Sequence, residues 1–534
     1  MNSINKKLAS ECIIDYLINK GVSKSFGIVG GAIESITNAI AQSTIEDHYP
    51  AHENTCTYAA SKVYEYSNKP ALVFTTTGPG ILNLVNGTAT SYMERQPFFI
   101  VAPHEKQSSH DKGAFQTSRR GGVDTLSIFS DITCYCDEIS SVEHLEQKLN
   151  LAWFNMIEHQ RPVVLFVPID ILTSMSEPVK VFDDMSHCIS GVLESISKND
   201  CIVIGERSKD ILFNLVELSR VKGIPILDTP ASRGFIHGGV SNYKGMVGMA
   251  GNNTAFDTIE KSDNVYYFNG ELTEYNIGDN TSVLNKTTVI SNRASDLYRG
   301  RTKKYHISDR VVNSELSNIL GGKTTSFHEN NKQNPPPKRQ KEITINTEII
   351  MDYLSSISPV DTQVFFDTGN SFLFGLNRWN VKKSKNNARK TVNVSFKQSS
   401  MACAIPSVIG ACYAQPDLSY LVVMGDGSFS MGSNEFKMLN KLNTNIVIVV
   451  LNDSVMGMAM HGQRLSGAEV RGIDNGRIDI AKIAEASGVL AYSVTNMTQF
   501  EKIDLTQKRC VLIDILIDRD TVPPIFQRLA SLNK

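Results

Sequence analysis

The feature that most constrains this chain is a recurring one: short apolar runs that end in glycine, aspartate or asparagine. They read ALVFTTTG at 71, FFIVAP at 98, PVVLFVP at 162, CIVIG at 201, NVYYFNG at 264, QVFFDTG at 363, YLVVMGDG at 420, NIVIVVLND at 445 and RCVLIDILID at 509. The runs are rich in Val and Ile and do not alternate with polar residues. A strand that faces water on one side alternates, whereas a strand covered on both faces does not. The segments between them, such as NTCTYAASKVYEY and GILNLVNGTATSYMER, carry helical periodicity. This alternation predicts an α/β chain built from several doubly wound parallel sheets.

A chain of 534 residues exceeds one domain; about three to four are expected at this length. The stretch ENNKQNPPPKRQKE, at 329–342, combines proline, asparagine and charge, and reads as a solvated linker rather than a targeting patch. SMSEPVKVFDDMSHCISG, at 174–191, marks a second seam. Three domains follow, at 1–172, 190–325 and 343–534. The first and third share a plan of strands ending in polar or glycine-rich turns.

A net charge of −2 argues against a nucleic-acid or membrane-surface protein, and no apolar run is long enough to span a bilayer. The N-terminal MNSINKKLASECIIDYL reads as an amphipathic helix with Leu8, Cys12, Ile13 and Tyr16 on one face, not as a signal peptide. The nine cysteines include no CxxC pair. Cys134 and Cys136 are expected on opposite faces of a strand. Reduced thiols and a cytoplasmic location are expected.

The chemistry is concentrated near 425. In doubly wound sheets ligands sit at the carboxyl ends of strands. Gly425, Asp426 and Gly427 end one apolar run, and Asn452, Asp453 and Ser454 end the next. One helix and one strand fit between them, so a right-handed crossover would bring Asp426 and Asp453 together. Two carboxylates and a backbone carbonyl form an incomplete octahedral set of the kind that holds Mg²⁺, with phosphate oxygens completing it. The glycines admit a phosphate, and a helix starting near Ser428 would offer it N-terminal amides.

GDG followed at this interval by NDS resembles the thiamine-diphosphate-binding motif. The family is that of acetolactate synthase, pyruvate oxidase and 2-oxo acid decarboxylase. The resemblance implies that Asp426, Asp453 and the Val455 carbonyl hold Mg²⁺, with Asp453 where asparagine is usual. In FKQSSMACAIPSVIGA at 396, Met401 matches the side chain that bends the cofactor. Ser399 stands where a glycine carbonyl usually meets the pyrimidine amine. DTGNS at 367 implies diphosphate contacts from Asn370 and Ser371. FGIVGGAIES at 26 is similar to an acetolactate synthase stretch and places Gly30 beside the cofactor.

In YPAHENTCTYAA, Glu53 matches the glutamate that bonds the cofactor's pyrimidine. A carboxyl buried there among small apolar residues should be held above its ordinary pKa. Phe115 and Gln116 match a Phe–Gln pair that faces substrate. His110 lies near where decarboxylases carry paired histidines, although only one is here. SVMGMAMHGQ at 454 resembles the substrate segment, with Met458 in a matching place and Gly462 where a bulky tryptophan is usual. In the central domain FNGELTEYNIG carries no arginine, and no bound FAD is expected.

These resemblances imply a carboligase or lyase of the acetolactate synthase type. A 2-oxo acid such as pyruvate would lose CO₂ and its acyl carbanion would be captured by a second carbonyl. Capture by a proton would give a 2-oxo acid decarboxylase, and a 2-hydroxy ketone lyase is a further alternative. A non-catalytic cofactor-binding paralogue is the reading from another class. The resemblance also implies a homodimer or homotetramer in which Glu53 of one subunit meets the cofactor of another.

Overall fold

The computed structural model describes residues 6–110, 112–119, 122–179, 193–248, 251–277, 281–291, 303–306, 309–320, 345–382, 390–432 and 435–523. The linker read at 329–342 lies outside them, as does much of the seam at 174–191. The chain forms two compact units. One comprises Met1–Met185, Lys397–Asp417 and Gly432–Thr444; the other comprises Ser186–Phe396, Leu418–Met431 and Asn445–Lys534. Two segments placed by sequence in the third domain, 397–417 and 432–444, therefore pack with the first.

In the first unit six strands lie side by side, all parallel. Their spatial order is Glu46–His48, Lys24–Gly27, Leu72–Phe74, Phe99–His104, Val163–Pro168 and Tyr135–Glu138. Leu72 and Phe74 enter the core on one face of the sheet and Val73 the core on the other. Burial on both faces is why these runs do not alternate. Cys134 and Cys136 divide between the same two cores, but not as opposite faces of one strand: residues two apart in a strand share a face, and Cys134 lies before the strand Tyr135–Glu138. Cys12, Ile13 and Tyr16 are buried along the helix Ala9–Asn19.

The helix Glu53–Ser67 buries Cys56, Ala59, Ala60 and Val63 on this sheet. Against it lies the helix Ala404–Ala414, whose small residues explain the assignment of 397–417 to this unit. A Cβ at Gly410 would sit 2.1 Å from the Ala59 carbonyl oxygen, so only glycine permits the approach.

The second unit holds two further parallel sheets. The central one runs, in space, Tyr243–Met246, Ile226–Asp228, Cys201–Ile204, Val265–Phe268, Thr287–Ser291 and Lys303–His306. The last runs Val392–Val394, Gln363–Phe366, Tyr420–Gly425, Ile446–Asn452, Cys510–Leu516 and Leu490–Val494. Numbered along the chain, the first and last sheets share the order 2-1-3-4-6-5. The shared plan read from sequence is thus a shared strand topology. Among the described residues no helix is long and apolar enough to cross a membrane.

Candidate active site

In the last sheet the polar run-ends fall where parallel topology requires. Tyr420–Gly425 and Ile446–Asn452 are neighbours, with Gly425 paired to Leu451. Asp426 and Asp453 therefore leave adjacent strands at nearly the same level. Burial and the negative charge of Asp426 push the Asp453 carboxyl up to about 7. Burial also raises Asp426, against hydrogen bonds from Asn475 and Asp453. Two carboxyls that resist joint ionisation are suited to a cation between them. The helix after Gly425 begins at Asp426 itself (Asp426–Gly432), earlier than sequence suggested.

The surrounding donors suit the same group. Asp453 Oδ1 accepts from Val455 N at 3.1 Å, and Ser454 between them is left-handed, with φ 61°. The Val455 carbonyl accepts from Gly457 N at 3.0 Å, which leaves its second lone pair available. A Cβ at Gly457 would lie 2.7 Å from Asn370 Nδ2 and 2.9 Å from Asp453 Oδ2. One glycine thus lets Asn370 and Asp453 line the same recess. Asn370 Oδ1 is buried with no hydrogen-bond partner among the described residues, and nothing crowds the Cβ direction of Gly425. A buried amide oxygen without a partner, in a recess that Asp453 also lines and with Asp426 leaving the neighbouring strand, fits an oxygen-liganded cation carrying a phosphate group.

Other expected ligands are partly committed elsewhere. The Ser371 hydroxyl donates to the Asp367 carbonyl at 2.8 Å. The Ser428 hydroxyl donates to Asp367 Oδ1 at 3.1 Å and so ties the GDG helix to the DTGNS turn. Met458 is half-buried against the core of this sheet. Sequence reasoning passed over Asp367 and Asn475. The only sequence signal for Asn475 is the turn dipeptide Asn475-Gly476.

In the first unit Glu53 is the first residue of its helix. It is half-buried, not enclosed as sequence suggested, because its carboxylate faces a polar neighbour: Asn83 Nδ2 donates to Glu53 Oε2 at 2.9 Å. A Cβ at Gly80 would come within 3.5 Å of Glu53 Oε1. The start of this helix is gripped from a distance by Glu435, which is almost fully buried. Its carboxylate accepts from Ala51 N at 3.1 Å, His52 N at 3.3 Å and the Thr55 hydroxyl at 2.8 Å. An anion at a helix N-terminus satisfies amides that have no partner within the helix. Glu435 was missed because its role depends on a fold-back that local sequence does not reveal.

Gly30 has an extended backbone and packs on Thr76. Phe115 is 89% exposed and Gln116 is left-handed, with φ 55°. Their loop is fixed from below. Thr117 Oγ1 donates to Glu105 at 2.6 Å, and Gly78 N donates to the Ser118 hydroxyl at 2.7 Å. Burial raises the Glu105 carboxyl, but hydrogen bonds from Thr117 and Ser118 and the charge of Arg119 bring it below its ordinary value. Met401 is half-buried in the turn before the helix Ala404–Ala414. Ser399 has φ 50°, the conformation that explains why glycine is usual there. His110 is exposed.

The central sheet takes the order 3-2-1-4-5-6. Arg207 pairs with Glu206 at 3.2 Å and with Glu271 at 3.7 Å. Among the described residues Cys12, Cys56, Cys134, Cys136, Cys201 and Cys510 form no disulfide, and no group of three or more His, Cys, Asp or Glu side chains forms a metal cluster.

Comparison with known proteins adds two kinds of finding. Residues 8–124 match the family described as "Thiamine pyrophosphate enzyme, N-terminal TPP binding domain", and 374–515 match its C-terminal TPP binding domain. The chain is 22% identical to an acetolactate synthase of Bacillus subtilis (strain 168), covering 97% of this chain and 94% of that protein. It is 25% identical to the acetolactate synthase large subunit of Lactococcus lactis subsp. lactis (strain IL1403), covering 96% and 92%. A catabolic acetolactate synthase of Raoultella terrigena is 22% identical over 92% of this chain and 91% of its own.

Proposed function

Because this chain belongs to the thiamine pyrophosphate enzymes and resembles acetolactate synthases over nearly its whole length, we propose that it is a thiamine-diphosphate- and Mg²⁺-dependent carboligase of 2-oxo acids. The observation that carries this reading is the recess where Asp426 and Asp453 converge beside the unpartnered amide oxygen of Asn370. When bound, thiamine diphosphate supplies the electron sink through which a 2-oxo acid loses CO₂ and passes its acyl group to a second carbonyl.

The protein's part is to hold and orient. Asp426, Asp453 and the Val455 carbonyl would bind the metal, and Asn370 and Ser371 would flank the diphosphate with Gly425, Gly427 and Ser428. Glu53 would exchange a proton with a ring nitrogen of the pyrimidine. The Ser399 carbonyl would accept from the pyrimidine amine, and Met401 would support the bent form. Phe115, Gln116 and Met458 would face the substrates. The working unit is a homodimer or homotetramer whose active sites are shared between subunits, in the cytoplasm, where unpaired cysteines persist.

The test is incubation with pyruvate, thiamine diphosphate and Mg²⁺. Release of CO₂ with formation of acetolactate is expected; neither product would sink the reading. Gly462, in the helix Gly457–Leu465, supports a second reading. Without a bulky side chain there, the acceptor pocket would admit an aldehyde or a larger acyl group. A decarboxylase would then appear as acetaldehyde release in the same assay, and a 2-hydroxy ketone lyase as cleavage of a 2-hydroxy ketone supplied in place of pyruvate. Sharing between subunits is tested by mixing Glu53→Gln with Asp426→Ala. Activity regained on mixing supports it, and none regained counts against it.

A further inference from the structure

The metal-binding recess has a second layer that its motifs do not announce. Residues Ile473–Asn475 pair antiparallel with Ser454–Met456, with Val455 opposite Asp474. Met456 N donates to the Ile473 carbonyl at 2.7 Å, and Asn475 N donates to the Ser454 carbonyl at 2.9 Å. These bonds fix the backbone on both sides of Val455. The tripeptide is flanked by two left-handed glycines, Gly472 with φ 68° and Gly476 with φ 67°, whose turns admit it at low cost. From the same tripeptide, Asn475 Nδ2 donates to Asp426 Oδ2 at 3.0 Å. One short segment therefore touches both loops that carry ligands.

We propose that Asn475 is a positioning residue that orients the Asp426 carboxylate for the metal. The choice of group matters. A lysine or arginine would hold the carboxylate equally well but would cancel the charge that the cation needs. An amide donates without cancelling it. With Oδ2 held by Asn475, the carboxylate cannot rotate freely. Partners of this kind, one layer behind a ligand, set affinity more than chemistry.

This inference rests on the proposed cofactor and metal. The test is Mn²⁺ binding followed by electron paramagnetic resonance with thiamine diphosphate present, together with thermal melting in a chelator. Asn475→Ala and the nearly isosteric Asn475→Leu are expected to weaken Mn²⁺ binding about 10- to 100-fold. Metal-free melting should not change, and kcat should recover at saturating metal. Affinities within about twofold of wild type in both variants would overturn the proposal. So would a parallel loss of metal-free stability, which would make Asn475 a part of the general fold. If wild-type protein binds no Mn²⁺, the proposed function itself fails.

Discussion

Asp426 and Asp453 leave adjacent parallel strands, and burial together with the charge of Asp426 holds the Asp453 carboxyl near 7. Its ordinary value is 3.8, so the folded protein keeps a proton there that the unfolded chain has released. Stability of the metal-free protein therefore falls as pH rises from about 4 to about 7. Asp453→Asn removes this titration. In a chelator at pH 8 it should be more stable than wild type by roughly 1–2 kcal/mol, less than the full shift because solvent screens the pair. At about pH 3.5, below the ordinary value, the two should converge. Urea denaturation at both pH values reads this directly, and a wild type equally stable at each would refute it.

Removing the other carboxylate tests the metal site itself. The Mg²⁺–thiamine diphosphate complex, taken as one ligand at about one hundred times its dissociation constant, should stabilise wild type by about 2.7 kcal/mol. In Asp426→Ala that gain should vanish. Thermal melting with and without both additives measures it; a shift retained in the variant would place the metal elsewhere.

The grip of Glu435 on the Glu53 helix should be costly to lose. Glu435→Ala strands two backbone N–H groups and the Thr55 hydroxyl, for an expected loss of about 2–4 kcal/mol. Glu435→Gln, which keeps one acceptor oxygen, should lose about half as much. Guanidinium denaturation distinguishes the two. A loss below about 0.5 kcal/mol in the alanine variant would mean that the helix start is satisfied without it.

Ser399 sits at φ 50°, where a Cβ costs roughly 1 kcal/mol. Ser399→Gly should stabilise the protein by about 0.5–1 kcal/mol, with part of the strain relief offset by the entropy of glycine in the unfolded chain. Chemical denaturation checks the sign. A destabilised variant would show that the serine side chain contributes more than its backbone strain removes.

Much of this was legible in the sequence. Strands buried on both faces must be continuously apolar, so Leu72–Phe74, Val163–Pro168 and Ile446–Asn452 declare themselves and with them the α/β class. Parallel topology places strand ends at one edge, so the pairing of Asp426 with Asp453 is legible in their spacing alone. The exposure of individual groups was less legible. Glu53 looked enclosed because small apolar residues follow it, yet its helix presents it beside Asn83. Which face a helix start shows is settled by its neighbours in space.

The sequence by itself determined the sheets, the run-ends that carry charge and the glycines that leave room beside them. These follow from periodicity and from backbone constraints that act within a few residues. Only the tertiary structure decided what stands behind those groups. Glu435 reaches the start of the Glu53 helix, and Asn475 reaches Asp426, across connections whose length and composition encode no distance. Such contacts exist because separate strands fix where their loops return, and that is a property of the assembled sheet.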